Sequence, residues 1–367
     1  MKLEIPQEKL SKALNIASRI ATPKTGLPIL NNILFRTDES NLTISSTNLE
    51  VAFMEYIPAK ITKPGSITIP AKLLTEFINN LPSGPVTLES INGHLKISTG
   101  QYKSTINGIN SDDFPELPVL DEKKATTFTI NVDEFKEAVT QTIITGSNDT
   151  TRPALTGVYF NTFENYIYLA ATDGYRLSER KLSEKTDIEL FAIIPITSLQ
   201  EVLRSINDDI TEIKILFDEN QVKFRLGSIE ITSKIIDSAF PNYRQLIPKK
   251  TDVNIELDRE EFLRVTKLAG LFARESGGSI ILETNSKLNT LSISSVASEL
   301  GENNSNISTE VDADGKVTIS SRFLIDALNS ASDQKIHFGF SGKLAPVVIK
   351  NTKSNNNHIH IVMPLKS

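Results

Sequence analysis

Residues 28–35 read PILNNILF, and residues 153–160 read PALTGVYF. Proline, leucine and phenylalanine recur in these two stretches at an offset of 125 residues (153 minus 28). Around them, one pattern of about 125 residues is written three times along the 367-residue chain. Such a chain typically builds a symmetric object from three domains. We therefore expect the function to belong to that object and not to a catalytic cluster.

Composition places the chain among ordinary globular proteins, with 39% hydrophobic and 23% charged residues. The opening stretch MKLEIPQEKL lacks the apolar run of a signal peptide, and no run approaches the ~20 apolar residues of a membrane span. These features favour a cytoplasmic protein with no membrane partner.

The absence of cysteine excludes disulfides, thiolate zinc sites and cysteine nucleophiles. A formal charge of −6 argues against tight nucleic-acid binding over the whole surface, but not against a local basic surface.

Each third begins with a short strand and an amphipathic helix, and a second, shorter helix follows later. The apolar residues that define the first helices are Leu10, Ala13, Leu14 and Ala17; Phe135, Ala138 and Val139; and Phe262, Val265, Leu268 and Ala269. Those of the second helices, which start near Pro70, Pro195 and Ser320, are Leu74, Phe77 and Ile78; Leu199, Val202 and Leu203; and Leu324, Ala327 and Leu328.

Between the helices the apolar period changes to two, as in residues 42–45, 167–170 and 291–294, which is typical of half-buried antiparallel strands. The sequence thus predicts an α+β fold of three tandem repeats, each with two helices packed on one face of an antiparallel sheet. Polar stretches at 119–126 and 248–253 read as linkers. We place the domains at residues 1–120, 127–248 and 252–367.

Basic residues recur on the polar faces of these helices. They are Lys9, Lys12 and Arg19 in the first third, Arg264, Lys267 and Arg274 in the third, and Lys72, Arg204 and Arg322 on the second helices. A charged face is usually only solvated. Its recurrence on an acidic chain favours a surface that holds phosphates loosely and without reading sequence.

The chain contains none of the common catalytic or phosphate-binding motifs, and no cofactor is implied. His358 and His360 would share one face of a strand, but no third ligand lies nearby in sequence, so we predict no metal site. Asp112 and Asp113 precede Phe114-Pro115 and indicate a turn, not an acid/base pair.

The second third departs from the first at one place. Residues 47–50, TNLE, become residues 172–175, TDGY, followed by Arg176 and Leu177. Asp-Gly is typical of a turn, and tyrosine and arginine are residue types that anchor peptides at interfaces. A plain hairpin turn with a surface tyrosine and arginine is the alternative.

Four motifs resemble one family: LPIL at 27–30, ATDGYRL at 171–177, FPNYR at 240–244 and IVMPLKS at 361–367. Together with the repeat, they make the whole chain similar to the bacterial DNA polymerase III beta subunit, the sliding clamp. The resemblance implies a head-to-tail homodimer whose six domains close a ring, with twelve helices facing a hole that double-stranded DNA threads. Such a protein is a processivity factor and not an enzyme.

The implied partners are the DNA polymerase III alpha subunit, the clamp-loader complex, and other polymerases and repair proteins that carry short hydrophobic peptides. Carried over position by position, the peptide pocket comprises Arg152, Leu155, Thr172, Gly174, Tyr175, Arg176, Leu177, Pro241, Leu246, Ile361, Val362, Met363, Pro364 and Leu365. Tyr175, Gln245 and Pro153-Ala154 depart from the better-known pattern of the family at the edge of this pocket.

The resemblance also implies DNA contacts and a dimer interface. The DNA contacts are Lys24, Lys72, Asn148 and Arg152, while Ile196-Thr197 replace a basic pair of some relatives. At the interface, Leu271 and Phe272 should meet the first domain near Ile106, and Lys96 and Lys103 should face Glu299 and Glu302.

Without the family resemblance, the residues leave two other function classes as alternatives. One is a three-domain enzyme, for example a hydrolase with a carboxylate site between domains, although the sequence offers no nucleophile-base pair. The other is a monomeric repeat scaffold that binds peptides without DNA, which would leave the recurrent basic helix faces unexplained.

Overall fold

The computed structural model describes residues 1–22, 26–298, 301–352 and 357–365. Within these ranges the chain forms six α-helices and 25 β-strands. The helices are α1 (Gln7–Ile20), α2 (Ala71–Asn79), α3 (Val132–Ile143), α4 (Ile196–Ser205), α5 (Arg259–Phe272) and α6 (Ser321–Ser330). None of the helices in the described ranges is long and apolar enough to cross a membrane.

The strands fall into the same three repeats. Those of the first are β1 (Lys2–Pro6), β2 (Asn32–Thr37), β3 (Asn41–Thr47), β4 (Val51–Pro58), β5 (Lys60–Lys63), β6 (Gly65–Pro70), β7 (Pro85–Ile91), β8 (His94–Thr99) and β9 (Tyr102–Asn107). Those of the second are β10 (Thr126–Asn131), β11 (Gly157–Phe163), β12 (Tyr166–Thr172), β13 (Arg176–Lys185), β14 (Phe191–Pro195), β15 (Glu212–Phe217), β16 (Gln221–Leu226) and β17 (Ile229–Lys234). Those of the third are β18 (Val253–Asp258), β19 (Ser279–Asn285), β20 (Thr290–Ala297), β21 (Gly301–Ser308), β22 (Gly315–Ser320), β23 (Lys335–Phe340), β24 (Val347–Asn351) and β25 (His358–Val362).

The chain divides into two compact units, each with one large and one small sheet. The first unit comprises Met1–Phe135 with Thr197–Ile235, and the second comprises Lys136–Ile196 with Ile236–Ser367. The first holds an eight-stranded sheet in the order β10-β15-β16-β17-β4-β3-β2-β6 and a five-stranded sheet in the order β5-β1-β7-β8-β9. The second holds an eight-stranded sheet in the order β14-β11-β12-β13-β25-β24-β23-β18 and a four-stranded sheet in the order β21-β20-β19-β22.

These units cut across the repeats because strands pair across the predicted domain boundaries. Strand β17 of the second repeat pairs antiparallel with β4 of the first, and β25 of the third pairs antiparallel with β13 of the second. Each large sheet is therefore shared by two repeats. The boundaries at 1–120, 127–248 and 252–367 stay predictions.

Helices pack on the sheets as the apolar periodicity predicts. In the first unit α1 packs on α2 and lies on β3 and β4, and in the second α5 packs on α6 and lies on β20 and β21. The residues predicted to face the core from α1 and α6 are buried. This confirms the α+β fold class, with helices on antiparallel sheets.

Helix α5 differs from its prediction at one position. Leu268 is 46% exposed, whereas Phe262, Thr266 and Ala269 are completely buried. The buried Thr266 hydroxyl donates to the carbonyl of Phe262 at 2.7 Å, so its polar group is satisfied inside the helix. The core-facing stripe is therefore rotated away from Leu268 because a satisfied threonine can be buried in its place. In α2 and α4, Phe77 and Leu203 are only half-buried.

Candidate functional site

The turn at residues 172–176 connects β12 to β13 and is closed by its own side chains. The Thr172 hydroxyl donates to the Arg176 carbonyl at 2.6 Å, and one Asp173 carboxylate oxygen accepts from the backbone N–H groups of Tyr175 (2.9 Å) and Arg176 (3.0 Å). Gly174 has φ +91°, which glycine adopts without strain. The turn presents Tyr175 to solvent, with 67% of its surface exposed.

Arg176 anchors this turn to helix α6. Its guanidinium forms ion pairs with Asp173 (3.0 Å) and Asp326 (2.6 Å) and lies 4.6 Å from the centroid of the Phe323 ring. The side chain is only 7% exposed. Its donors are therefore directed into the protein, so the contribution of Arg176 to a partner site is to hold Tyr175 in place.

An apolar floor lies beneath the turn, in the eight-stranded sheet of the second unit. Leu177 on β13 is paired in register with Ile361 on β25, and the backbone N–H of Met363 donates to the Tyr175 carbonyl at 2.8 Å. The buried floor consists of Ala170, Leu177, Tyr243, Val348 and Ile361. Met363 is half-buried beside this floor.

Residues 240–247, which we call the wall of the predicted pocket, contain a short 3₁₀ turn, Tyr243–Leu246. Tyr243 is buried, whereas Pro241 and Leu246 are exposed. The Tyr243 hydroxyl donates to Glu179 on β13 at 2.6 Å and accepts from the Asn161 amide at 3.3 Å. These bonds hold Tyr243, which lies in sequence between the exposed Pro241 and Leu246, against the sheet.

Arg244 adds a second tie between this wall and Glu179. The guanidinium forms an ion pair with the Glu179 carboxylate at 3.0 Å and lies 4.0 and 4.2 Å from the ring centroids of Phe163 and Tyr168. Burial raises the pKa of Glu179, while the Tyr243 hydroxyl and Arg244 act in the opposite direction. Burial also raises the pKa of Tyr243 well above its usual value. We name Glu179, Tyr243 and Arg244 the wall triad.

The pocket residues predicted from sequence all belong to the second unit, and β13 and β25 bring several of them together. Thr172, Gly174, Tyr175, Arg176, Leu177, Ile361, Val362 and Met363 meet at this pairing. A Cβ atom placed on Gly174 would be 4.0 Å from Arg152 Nη1, so this exposed arginine passes close to the turn. Leu155 is buried, and Pro364 and Leu365 are half-buried. That these residues bind a peptide stays a prediction.

Basic side chains in the first unit divide into free and paired ones. Lys9 and Lys12 on α1 and Lys72 on α2 are exposed. Arg19, in contrast, pairs with Glu201 of α4 at 2.9 Å, and the same carboxylate accepts from Arg204 at 2.6 Å. One half-buried carboxylate thus partly neutralises two of the predicted basic positions, which leaves Lys9, Lys12 and Lys72 as exposed cations of these helices. Lys24 lies outside the described residues.

The second unit also exposes predicted basic and polar positions. Arg264 and Lys267 on α5 and Arg322 on α6 are exposed, as are Asn148 and Arg152 in the loop that follows α3. Lys136 on α3 is half-buried.

Each small sheet ends in a strand that pairs on only one side within the described ranges: β9 in the first unit and β21 in the second. Lys96 on β8 and Lys103 on β9 are exposed, while Ile106 on β9 is buried, with 5% of its surface exposed. On β21, Glu302 is exposed. At the end of α5, Leu271 is 49% exposed and Phe272 is half-buried. The remaining predicted interface residue, Glu299, lies outside the described residues.

Three models of one family match the chain in consecutive segments. The N-terminal domain of the DNA polymerase III beta subunit matches residues 1–118, the central domain residues 129–242, and the C-terminal domain residues 244–366. The chain belongs to the DNA polymerase III beta subunit family. Its function is that of a DNA sliding clamp, a processivity factor with no catalytic activity of its own.

Individual relatives extend over the full length. The beta sliding clamp of Staphylococcus aureus is 28% identical over 388 residues and is covered completely, as is this chain. The crystal structure of the DNA polymerase sliding clamp from Bacillus subtilis has a TM-score of 0.94 at 26% identity, covering 100% of this chain and 99% of that one. The crystal structure of the beta subunit from the DNA polymerase of Streptococcus pyogenes has a TM-score of 0.95 at 21% identity, and both chains are fully covered. These likenesses identify the three-domain α+β clamp fold.

The histidines of the clamp take structural positions. His358 and His360 lie on β25 and are buried, and Ser178 Oγ lies 2.9 Å from His358 Nε2. Burial and the nearby Arg180 lower the pKa of His358 to about 3, and burial lowers the pKa of His360 as well. Both imidazoles are therefore neutral at physiological pH. No group of three metal-ligating side chains is present in the part of the chain that the structure describes.

Sequence reasoning missed the wall triad and the Arg176–Asp326 pair. Glu179 stands in a run of polar letters, SERK at 178–181, which resembles a solvated strand. The sequence offered one indication of the wall triad, the adjacent tyrosine and arginine in FPNYR. A buried tyrosine usually forms a hydrogen bond through its hydroxyl, and arginine is well suited to pair with a carboxylate.

Proposed function

We propose that two copies of this chain close head to tail into a ring around double-stranded DNA, without sequence specificity. The observation that carries this proposal is the pair of open strands at opposite ends of the repeat series, β9 in the first repeat and β21 in the third. An open strand edge favours pairing with another chain, and two different edges on one chain favour a head-to-tail contact that closes into a ring.

Charge supports the same pairing. Lys103 lies on β9 and Lys96 on the adjacent β8, whereas Glu302 lies on β21, and all three are exposed. Opposite charges across an interface select the partner edge and fix the register more than they add affinity. The exposed Leu271 at the end of α5 adds an apolar contact to this interface. Because the Ile106 side chain is buried, β9 would contact the partner copy through its open backbone edge.

The interaction with DNA is proposed to be topological. The chain carries a net charge of −6, and Glu201 partly neutralises Arg19 and Arg204, so the charge of the chain does not favour tight binding to phosphates. Weak, non-specific phosphate contacts by Lys72, Asn148 and Arg152 permit sliding, because affinity that depends on counterion release is not tied to any base sequence. Lys24 belongs to the same proposed set.

The pocket formed by the 172–177 turn, Met363 and the wall at 240–247 is proposed to bind short hydrophobic peptides of the proteins that the ring tethers. These are the DNA polymerase III alpha subunit, the clamp-loader complex, and other polymerases and repair proteins. An apolar floor with a few polar groups at its edge is the chemistry of a peptide receptor. We place the complex in the cytoplasm, with the bacterial chromosome.

A dimer of about 81 kDa, twice the 40.6 kDa chain, is expected in sedimentation equilibrium at micromolar concentration. Leu271→Asp should shift it to monomer because it places a charge in an apolar contact. Leu288→Asp, at a position 70% exposed, is the matched control and should leave the dimer unchanged. A monomer at every concentration for the parent protein contradicts the ring.

On DNA, we expect protein loaded by the clamp-loader complex onto a nicked circular plasmid to co-elute with the plasmid in gel filtration at high salt. Cutting the plasmid once should release the protein, because a ring slides off a free end. Lys72→Glu should weaken the phosphate contacts and reduce their dependence on salt concentration, but it should not change the release on cutting. Equal retention on circular and linear DNA, or equal loss from both, contradicts a topological link.

A further inference from the structure

The turn at residues 172–176 has a counterpart in the first unit, at residues 47–51. The Thr47 hydroxyl donates to the Val51 carbonyl at 2.9 Å and accepts from the Leu49 N–H at 3.0 Å. One Asn48 side-chain oxygen accepts from the N–H groups of Glu50 (3.0 Å) and Val51 (2.8 Å). The turn at 172–176 makes the same four hydrogen bonds.

The central residue of the counterpart turn is strained. Leu49 has φ +73°, where the other turn has Gly174 at φ +91°. A residue with a Cβ rarely adopts this conformation, and such strain is concentrated at ligand clamps and other functional sites. The hydrogen bonds of Thr47 and Asn48 hold the turn in place, so the strain is built into the turn. The leucine side chain is 36% exposed.

The neighbouring strand is also repeated. Strand β17 pairs with β4 as β25 pairs with β13, and the Lys234 N–H donates to the Glu50 carbonyl at 3.0 Å, as that of Met363 does to Tyr175 at 2.8 Å. Lys234 and Ile235 thus take, in the first unit, the positions of Met363 and Pro364 in the second.

A surface cavity of about 690 Å³ lies at this counterpart turn. Its apolar lining comes from Leu49, Val51, Ala52, Pro118 and Ile235. All of these residues belong to the first unit. The volume is within the range of sites that bury a small ligand or a few side chains of a peptide.

The charged lining of the cavity is acidic. Glu50 and Glu116 contribute two carboxylates and Lys234 one ammonium group, which gives a net charge of −1. Glu50 and Lys234 are 3.6 Å apart and both more than half exposed, so this ion pair is weak and easily exchanged for another cation. The pocket of the second unit instead has Arg152 near its turn. The cavity of the first unit therefore favours a cationic segment.

We propose that this cavity is a second peptide-docking site, which takes an extended partner segment with an aliphatic side chain next to lysine or arginine. The aliphatic side chain packs on Leu49, Pro118 and Ile235, and the cation binds Glu50 and Glu116. The inference rests on the proposed function of the 172–177 pocket as a peptide receptor, because the two share one turn and one strand pairing.

The test uses full-length protein carrying Met363→Asp, which disables the pocket of the second unit. The probe is a fluorescein-labelled peptide amide of sequence Gly-Gly-Leu-Lys-Leu-Leu, and its match has glutamate in place of lysine. Fluorescence anisotropy is expected to show saturable binding of the lysine peptide and at least ~10-fold weaker binding of the glutamate peptide.

Two substitutions locate the site. Leu49→Gly removes the aliphatic contact and keeps the turn, since glycine adopts a positive φ freely. Glu116→Lys reverses the charge of an exposed residue. Each should weaken the binding of the lysine peptide by at least ~10-fold. Glu39→Lys, at an exposed acidic residue outside the cavity, should leave this affinity unchanged.

Absence of saturable binding, or binding unchanged by both substitutions, overturns the inference. A dimer lost in Leu49→Gly also overturns it and assigns the surface to a second copy of the chain. Failure of the proposed function gives a different result: a hydrophobic peptide from the polymerase would then bind equally to the parent and to Met363→Asp.

Discussion

Substituting Met363 by aspartate is expected to weaken the binding of a short hydrophobic peptide from a partner polymerase by at least ~100-fold, or about 2.7 kcal/mol. Met363 is half-buried beside the floor of the pocket, so an ionised carboxylate would have to be buried without a partner when the peptide binds. The backbone hydrogen bond from Met363 to Tyr175 does not depend on the side chain. We therefore expect the fold and the dimer to persist.

Fluorescence anisotropy with a labelled peptide measures this loss, and sedimentation measures the dimer. Leu344→Asp, an exposed position of the same unit, is the control and should bind as the parent does. Leu177 is unsuitable for the same test, because it is 2% exposed and a charge there would disrupt the floor itself. An unchanged affinity in Met363→Asp would show that the pocket lies elsewhere.

Replacing Glu179 by alanine is expected to lower the free energy of unfolding by about 3–5 kcal/mol. Glu179 is buried and is the common partner of the Tyr243 hydroxyl (2.6 Å) and the Arg244 guanidinium (3.0 Å). Its removal leaves the buried Tyr243 hydroxyl without its acceptor and the partly exposed Arg244 guanidinium without its ionic partner. Because the wall triad holds residues 240–247 against the sheet, peptide affinity should fall together with stability.

Urea denaturation of the full chain, with peptide binding in parallel, tests this expectation. Glu184→Ala, an exposed glutamate on the same strand, is the matched control and should change the midpoint little. Tyr243→Phe should lower the free energy of unfolding by less, about 1–3 kcal/mol. It removes one hydrogen-bonding group but leaves the ion pair between Arg244 and Glu179. If Glu179→Ala and Glu184→Ala had equal midpoints, the wall triad would have no part in stability.

Much of the fold could be predicted because its signals are local. The apolar sets of α1, α3 and α6 have helical spacing, and the structure buries them. At α5 the same reasoning selected Leu268, which is exposed, because periodicity alone could not reveal that Thr266 satisfies its hydroxyl within the helix.

The candidate site was predictable only in part. The residues of the 172–177 turn were recognisable from their types, since Asp-Gly and the threonine hydroxyl specify the turn chemically. The strained counterpart at Leu49 gave no such signal, because a leucine in a turn shows its positive φ only in the structure. Equally, the sequence did not indicate that Glu201 neutralises Arg19 and Arg204 together.

The three-fold repeat, the helix faces and the alternating strands can be read from the sequence alone, because each depends on short-range patterns along the chain. The burial of Arg176, Glu179 and Arg180 is visible only in the folded protein, since β13 is covered on both faces along that stretch. Asp173 is near Arg176 in sequence, but the other partners are distant: Glu179 meets Tyr243 64 residues away, and Arg176 meets Asp326 150 residues away. A buried charge is stable only with such a partner, and folding alone brings the two together.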